Sequence, residues 1–210
     1  MTYSMRRMDN GDLGQVQDID REAFPTQWPA PNYRQELANK LAHYIILCDD
    51  DRRGETPPNL PGLTGTSFVN RLLPWRKPKR VPVNLPATPT EEYIIGFSGI
   101  WVLVDEAHIT NLAVREEYQG RGLGEHLLIA TFDMAADLHI TILTLEVRVS
   151  NTVAQSLYAK YGFADKGVRK GYYLDNREDA LIMTSENITS EESRARLAEL
   201  RKSVAAKLAM

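Results

Sequence analysis

Apolar residues along the chain recur either at every second position or at every third or fourth, and these spacings are typical of strands and helices respectively. Leu13, Val16 and Ile19 follow Asp12 at helical spacing, and prolines at 25, 29 and 31 interrupt that pattern. The first quarter of the chain therefore predicts a strand over 3–8, a helix from 12 to 24, a short helix ending near 41 and a strand over 44–48.

Regular spacing returns after residue 92. The helix predicted to follow Gly122 has apolar residues at steps of three and four as far as Leu138. The next helix, capped by Ser150 or Asn151, carries a similar stripe that includes Tyr158. Further strands are predicted over 92–104, 107–114, 140–149, 162–173 and 179–184. This order of elements predicts a mixed sheet with helices on both faces.

The C-terminal residues 187–210 are predicted to be a helical extension of a domain that spans 1–186. Thr189 and Glu192 have the spacing of a capping box. Apolar residues then share one helix face at Leu197, Leu200, Val204 and Leu208. Such a face packs either on the chain's own domain or on a second copy, and the sequence leaves the oligomeric state open.

Residues 51–92 differ from their surroundings in composition. Eight of the eleven prolines lie there, and the segment from Arg71 to Arg80 is basic and contains Trp75. Because structureless connections of this length are uncommon within compact domains, we interpret it as an insertion between two strands. The simpler hypothesis is a solvated loop. The alternative is that 70–82 docks on an anionic partner, either RNA or a lipid surface.

Composition narrows the class of protein without identifying it. The formal net charge of −3 gives no overall reason to expect nucleic-acid binding. No apolar run approaches the roughly 20 residues of a membrane-spanning helix, and the polar N-terminus does not resemble a signal peptide. The single cysteine, Cys48, lies in an apolar run and is expected to be buried. These features predict a cytoplasmic protein.

A glycine-rich turn joins the strand that ends at Val114 to the helix that begins near Gly122. Glycines occupy alternate positions at 120, 122 and 124. They allow the backbone to approach a ligand closely, and the N–H groups at a helix start favour a phosphate or pyrophosphate, to which Arg121 adds a positive charge. The spacing fits neither a P-loop nor a dinucleotide fingerprint. Taken alone, the turn is a weak signal, because many such turns bind nothing.

The blocks around this turn resemble one family in order and spacing. They are Gln119-x-x-Gly122-x-Gly124 after Asn-Leu-Ala-Val, Leu145 to Asn151, Leu157 to Phe163, Arg169 to Tyr173, and Glu178-Asp-Ala-x-x-Met183. Together they resemble the GNAT acetyltransferase superfamily and, within it, the RimI-type ribosomal-protein-alanine N-acetyltransferases. The resemblance is dense over 107–184 and fainter over 3–49, and it excludes 51–92 and the residues after 186. It implies a mixed α/β fold with a mostly antiparallel, twisted sheet of about seven strands.

The resemblance also implies an acetyl-CoA-dependent N-α-acetyltransferase that needs no metal. Acetyl transfer requires a group that accepts the amine proton, a donor to the oxyanion and a group that protonates the sulfur. Glu146 is the candidate base, acting directly or through water, and alternation places it on the polar face of its strand with Thr144 and Arg148. The alternative is a glutamate held in an ion pair with Arg148 or another cation. Since an ordinary glutamate has a pKa of about 4.3, burial would have to raise it for an efficient base.

The resemblance implies that Tyr158 is the acid, because its spacing from Glu146 and Asn151 matches the family and a phenol stays protonated at neutral pH. Its place on an apolar stripe alone would make it a core residue. The implied cofactor contacts are Leu112, Ala113, Val114, Gln119, Gly120, Arg121, Gly122, Leu123, Gly124, Glu125 and Asn151, of which Asn151 is also a candidate helix cap. His108 has no counterpart in the family pattern and is interpreted as an ordinary strand residue.

The acceptor is predicted to be a protein N-terminus. An α-amine has a pKa of about 7.7–8.0 against about 10.4 for lysine, so its free-base fraction at neutral pH is far larger. The resemblance implies a peptide entry lined by Phe24, Pro25, Tyr172 and Tyr173, which otherwise are ordinary turn and strand residues, and a ribosomal protein with N-terminal alanine as substrate. The rival hypotheses are acetylation of lysine or of a small-molecule amine, and a non-catalytic CoA-binding docking module.

Overall fold

The computed structural model describes residues 2–24, 31–55 and 91–209. Its seven strands are β1 (Tyr3–Arg7), β2 (Ala42–Asp49), β3 (Tyr93–Leu103), β4 (Glu106–Val114), β5 (Ile142–Arg148), β6 (Phe163–Tyr173) and β7 (Glu178–Ser185). Its helices are α1 (Leu13–Ala23), α2 (Tyr33–Ala38), α3 (Leu123–Asp137), α4 (Thr152–Lys160) and α5 (Glu191–Leu208). The predicted order of strands and helices is confirmed.

The strands form one sheet in the order β1-β2-β3-β4-β5-β7-β6. Neighbouring strands are antiparallel except β4 and β5, which are parallel and are connected through α3. The predicted mixed, mostly antiparallel sheet is therefore confirmed. The one parallel pair lies in the middle of the sheet, and the strand β7 follows on the other side of β5.

Apolar side chains pack on both faces of the sheet. One cluster lies under α1 and α2 and includes Val16, Ile19 and Phe97, together with the fully buried Cys48. The larger cluster lies under α3 and α4, where the predicted stripe of α3 supplies Leu127 and Leu128. Along β5 the alternate residues Leu143, Leu145 and Val147 enter this second cluster. The residues between them on β5 therefore face the α1 and α2 side.

The C-terminal helix α5 packs on the same chain, against α3. Val204 is buried in the larger cluster, and Leu197, Leu200 and Leu208 pack against it. The apolar face of α5 therefore packs on the chain's own domain, which was one of the two predicted alternatives. The predicted cap residue of α5 is wrong by one position, because Ser190, rather than Thr189, accepts the hydrogen bond from the Ser193 N–H. Within the described ranges, no helix is long and apolar enough to cross a bilayer.

Candidate active site

The parallel strands β4 and β5 separate partway along their length. Their pairing joins only Glu106–His108 to Ile142–Thr144. Beyond this point, β4 continues to pair with β3 on its other edge as far as Val114. The edge that faces β5 over Thr110–Val114 therefore has no strand partner among the described residues, and its backbone groups can bind an extended ligand.

An open cleft of about 740 Å³ begins at this edge and extends over the start of α3. Its walls come from β4, the glycine-rich turn, α4 and α5. The lining residues are Leu112, Val114, Gln119, Gly120, Arg121, Gly122, Gly124, Glu125, Val153, Ser156, Leu157, Lys160 and Lys207. Most of the predicted cofactor contacts thus lie on one cleft, although the positions Val153, Ser156, Leu157, Lys160 and Lys207 were missed by the sequence analysis.

The glycine-rich turn has the backbone geometry that the sequence predicted. Gly120 and Gly122 have φ values of +75° and +86°, which side chains rarely adopt. Gly122 is the N-cap of α3, and no side chain caps this helix start. Gly124 has open space where a side chain would lie. Main-chain N–H groups at the start of α3 are therefore available to a phosphate, which the helix dipole also favours.

Two predicted cofactor contacts have side chains that point elsewhere. Ala113 and Leu123 are 4% and 1% exposed and belong to the apolar core, so their side chains do not reach the cleft. Asn151 caps α4, since its Oδ1 accepts from the Ala154 N–H at 3.1 Å, which confirms that alternative. Gln119 Nε2 donates to the Val114 carbonyl at 3.2 Å and fixes the turn against β4.

Glu146 lies beside the split between the strands, with a side chain that is only 6% exposed. Its Oε2 is 2.7 Å from His108 Nε2, and its Oε1 is 2.9 Å from Arg169 Nη1. The hydrogen bond from His108 lowers the pKa of Glu146 below its ordinary value; burial opposes this and the charge of Arg169 adds to it. An efficient base would require burial to raise this pKa, and the structure shows a lowered pKa instead. The carboxylate therefore stays ionised.

His108, which the sequence alone marks as an ordinary strand residue, contacts the candidate base Glu146. His108 pairs in register with Thr144, and alternation places both side chains on the face that carries Glu146. The imidazole bridges the two strands, with Nδ1 3.1 Å from Thr144 Oγ1 and Nε2 bonded to Glu146. Because Glu146 is ionised, the Nε2–H group of His108 donates the hydrogen bond and the carboxylate accepts it. Only the register of the parallel pair reveals this contact.

Arg148 shares this face and pairs with two other carboxylates. It forms ion pairs with Asp175 and Glu178 at 3.0 and 2.9 Å and lies over the Tyr173 ring, 3.9 Å from its centroid. The Tyr173 hydroxyl in turn donates to the Glu146 backbone carbonyl at 3.5 Å. These contacts position the end of β6 beside the carboxylate.

The two tyrosines that end β6 form an aromatic pair near Glu146. Tyr172 and Tyr173 pack edge to face, with ring centroids 5.2 Å apart. Tyr172 is 42% exposed, and Arg169, which pairs with Glu146, lies 5.8 Å from the centre of its ring. The structure therefore brings the predicted aromatic segment to the carboxylate, with one ring open to solvent.

Tyr158 lies on α4, next to the cleft residue Leu157. It is 9% exposed and packs on Phe163 with ring centroids 5.6 Å apart. Burial raises the pKa of Tyr158 to about 12. Its hydroxyl therefore stays protonated over the whole physiological range.

Phe24 ends α1, and its partly buried side chain packs on the cluster under α1 and α2, the face of the sheet that also carries Glu146. Pro25 and the basic segment 70–82 lie outside the described residues. In the part of the chain that the structure describes, no three His, Cys, Asp or Glu residues are placed to hold a metal ion.

Comparison with known proteins is specific at the level of the family. The model of the acetyltransferase (GNAT) family matches residues 13–163. An N-alpha-acetyltransferase of Saccharolobus solfataricus is 44% identical over 183 residues, which cover 86% of this chain and 91% of that protein. The ribosomal protein bS18-alanine N-acetyltransferase of Haemophilus ducreyi is 39% identical over 121 residues, 53% of this chain and 83% of that protein.

Among solved structures, the fold is similar to that of the ribosomal-protein-S18-alanine N-acetyltransferase of Escherichia coli. The TM-score is 0.64 at 23% identity, and the match covers 90% of this chain and 97% of that one. At this level of identity the likeness shows the fold.

Proposed function

Because this chain belongs to the acetyltransferase (GNAT) family, whose members use acetyl-CoA, we propose that it acetylates the α-amine of a protein N-terminus. The N-terminal alanine of ribosomal protein bS18 is the first candidate substrate, since a relative carries that activity in its name. The observation that carries the proposal is the Glu146–His108 pair, which lies where β4 and β5 separate and beside the exposed Tyr172.

Acetyl-CoA would occupy the cleft between β4 and α4. The turn from Gln119 to Gly124 offers backbone N–H groups to the pyrophosphate, and the unpaired edge of β4 around Leu112 and Val114 offers backbone groups to the pantetheine arm. An N–H on that edge is the candidate oxyanion donor. When bound, acetyl-CoA supplies the thioester whose acetyl group is transferred.

The amine nitrogen attacks the acetyl carbon as a free base and forms the C–N bond, which moves the carbonyl electron pair onto oxygen. When this oxyanion collapses, the carbonyl re-forms and the C–S bond breaks, which releases the thiolate. Near neutral pH roughly a tenth of an α-amine is already unprotonated, against well under a thousandth of a lysine side chain. The nitrogen becomes strongly acidic once the C–N bond forms. Glu146 can then accept its proton despite a lowered pKa, directly or through water, while His108 positions the carboxylate.

An incoming N-terminal ammonium competes with Arg169 for Glu146. Arg169 is 56% exposed and contacts only one of the two carboxylate oxygens, Oε1. Its displacement returns a half-exposed guanidinium to water, which costs little. A substrate amine can therefore replace Arg169 beside Glu146, and an amine that arrives as an ammonium must lose its proton before it reacts.

Tyr158 is the proposed donor to the departing sulfur. Its pKa of about 12 lies above the value of about 8.5 for an ordinary thiol, so complete proton transfer to a solvated thiolate is uphill. The buried hydroxyl acts first as a hydrogen-bond donor that stabilises negative charge on sulfur. Apolar surroundings that raise the pKa of the phenol also raise that of a thiol held beside it, which brings proton transfer within reach.

Acetyl-CoA turnover with a panel of amines tests the proposed function. The panel contains a short peptide with the bS18 N-terminus, peptides that begin with other residues, an N-terminally blocked peptide that carries lysine, and a polyamine. We expect free N-termini to react and the blocked peptide and polyamine not to react. Acetylation of the last two alone would refute the proposal, and a broad set of N-termini would retain the activity but remove the preference for alanine.

A further inference from the structure

The C-terminal helix α5 brings a lysine into the cleft that we assign to acetyl-CoA. Lys207 lines that cleft together with the glycine-rich turn. The Lys207 Cδ atom would lie 3.7 Å from a Cβ added to Gly122. Lys207 therefore packs directly over the turn whose N–H groups face the proposed pyrophosphate.

This position of Lys207 is set by the packing of α5 on the domain. Val204, one turn earlier on the helix, is 1% exposed in the main core. Arg201 makes a two-point ion pair with Asp133 of α3, with N–O distances of 2.7 and 3.0 Å. The last turn of α5 is thus held against α3, and Lys207 is presented from a fixed backbone.

Lys207 shares a single carboxylate with a second lysine. Its Nζ lies 2.9 Å from Oε1 of Glu125, in the first turn of α3, while Lys160 of α4 pairs with Oε2. Burial of Glu125 raises its pKa, but the hydrogen bonds from the two lysines outweigh this and lower it. Two cations around one carboxylate leave a net positive charge at a helix start that already favours anions.

We propose that Lys207 is a phosphate-binding residue of the acetyl-CoA site. This inference rests on the proposed function and adds to it a residue from beyond the family-matched segment 13–163. Lys207 is 49% exposed, so its ammonium can turn from Glu125 to a phosphate oxygen without unfolding the helix.

Binding of CoA and of 3′-dephospho-CoA to the purified protein, measured by calorimetry, tests the proposal. Lys207→Gln is expected to raise the Kd for CoA about tenfold, a typical value for one charge-assisted contact to a partly exposed lysine. Lys202→Gln is the matched control, because Lys202 lies on the same helix, is 73% exposed and pairs with Glu199. It removes the same charge and should change the Kd by less than about twofold.

The double variant Glu125→Gln with Lys207→Gln separates a direct contact from simple neutralisation of Glu125. A direct contact predicts that Lys207→Gln still weakens CoA binding when Glu125 is already Gln. A loss restricted to CoA assigns the contact to the 3′-phosphate, and an equal loss with 3′-dephospho-CoA assigns it to the pyrophosphate. Equal Kd values for Lys207→Gln and Lys202→Gln, or no further loss in the double variant, would overturn the proposal. Failure of the wild-type protein to bind CoA would instead remove the proposed function.

Discussion

Replacement of Glu146 by glutamine changes the charge of the proposed base without changing its size. The carboxylate is 6% exposed and accepts from His108 at 2.7 Å and from Arg169 at 2.9 Å. Glutamine leaves no cavity, but it cannot accept a proton from the amine, and its amide nitrogen faces one of the two former donors. We expect the protein to fold and the acetyl transfer to slow.

The two effects differ in size. His108 and Arg169 are 28% and 56% exposed, so both regain water when the carboxylate charge is lost, and the cost to folding should be about 1–2 kcal/mol. General-base catalysis contributes about 10²–10⁴-fold to a rate. Because the pKa of Glu146 is lowered and a weaker base contributes less, we expect kcat/KM to fall toward the lower end of that range, about 10²- to 10³-fold.

The assay is steady-state acetylation of an N-terminal peptide by wild type, Glu146→Gln, His108→Gln, His108→Ala and the double variant Glu146→Gln/His108→Ala. The glutamine at 108 retains a donor near the position of Nε2. If His108 only positions Glu146, His108→Gln should retain most of the activity and the acid limb of the pH profile, whereas His108→Ala should not.

A double variant that is no slower than Glu146→Gln would show that the two residues act as one unit. Glu146 is not a general base if Glu146→Gln, folded as judged by circular dichroism, retains more than about a third of the wild-type kcat/KM, since a general base contributes far more. His108 does not act through Glu146 if the losses of Glu146→Gln and His108→Ala simply multiply in the double variant.

Four further outcomes follow from the structure. Tyr158→Phe should lower kcat about 10²-fold, and the wild-type pH profile should show no ionisation of this residue below pH 10, because burial raises the pKa of Tyr158 to about 12; a loss of activity centred near pH 9 would contradict this. Gly122→Ala should cost about 1–2 kcal/mol of unfolding free energy in denaturant melts, because its φ is +86°, whereas Gly124→Ala, with open space around it, should not destabilise. The lowered pKa of Glu146 contributes stability above the unfolded-state pKa of about 4.3 that is lost as the pH falls through the folded value; Glu146→Gln should therefore flatten the pH dependence of the unfolding free energy below about pH 5. Val204→Asp, at a core position 1% exposed, should detach α5, lower the Tm and weaken CoA binding; unchanged values would show that α5 is not needed.

Much of the fold follows from local patterns. Some patterns lie within a single segment of the chain, so the preferences of that segment determine which helix, strand or turn it forms. Examples are the apolar stripe on α3, the alternation along β5 and the glycines at 120 and 122. Even there, details depend on context: Ser190 rather than its neighbour Thr189 caps α5, because the exact start of a helix is set by packing as well as by spacing.

The candidate site was predictable where its residues lie within recognisable blocks. Glu146 was assigned to the polar face of β5 by alternation, and Tyr158 was assigned by its place in the family pattern rather than by its apolar stripe. Those blocks do not show which side chains surround Glu146 and Tyr158 in the folded chain. An efficient base would need burial to raise the pKa of Glu146, whereas the hydrogen bond from His108 lowers it.

The sequence by itself therefore determined the elements, their order, the glycine-rich turn and the family. The tertiary structure alone decided which residues from distant segments meet. His108 reaches Glu146 because β4 and β5 pair with His108 opposite Thr144, and Lys207 reaches Glu125 across 82 positions because α5 packs on α3. Strand register and helix docking depend on the packing of the whole core, which no single segment encodes. For that reason the partners of Glu146 and of the glycine-rich turn appeared only in the folded molecule.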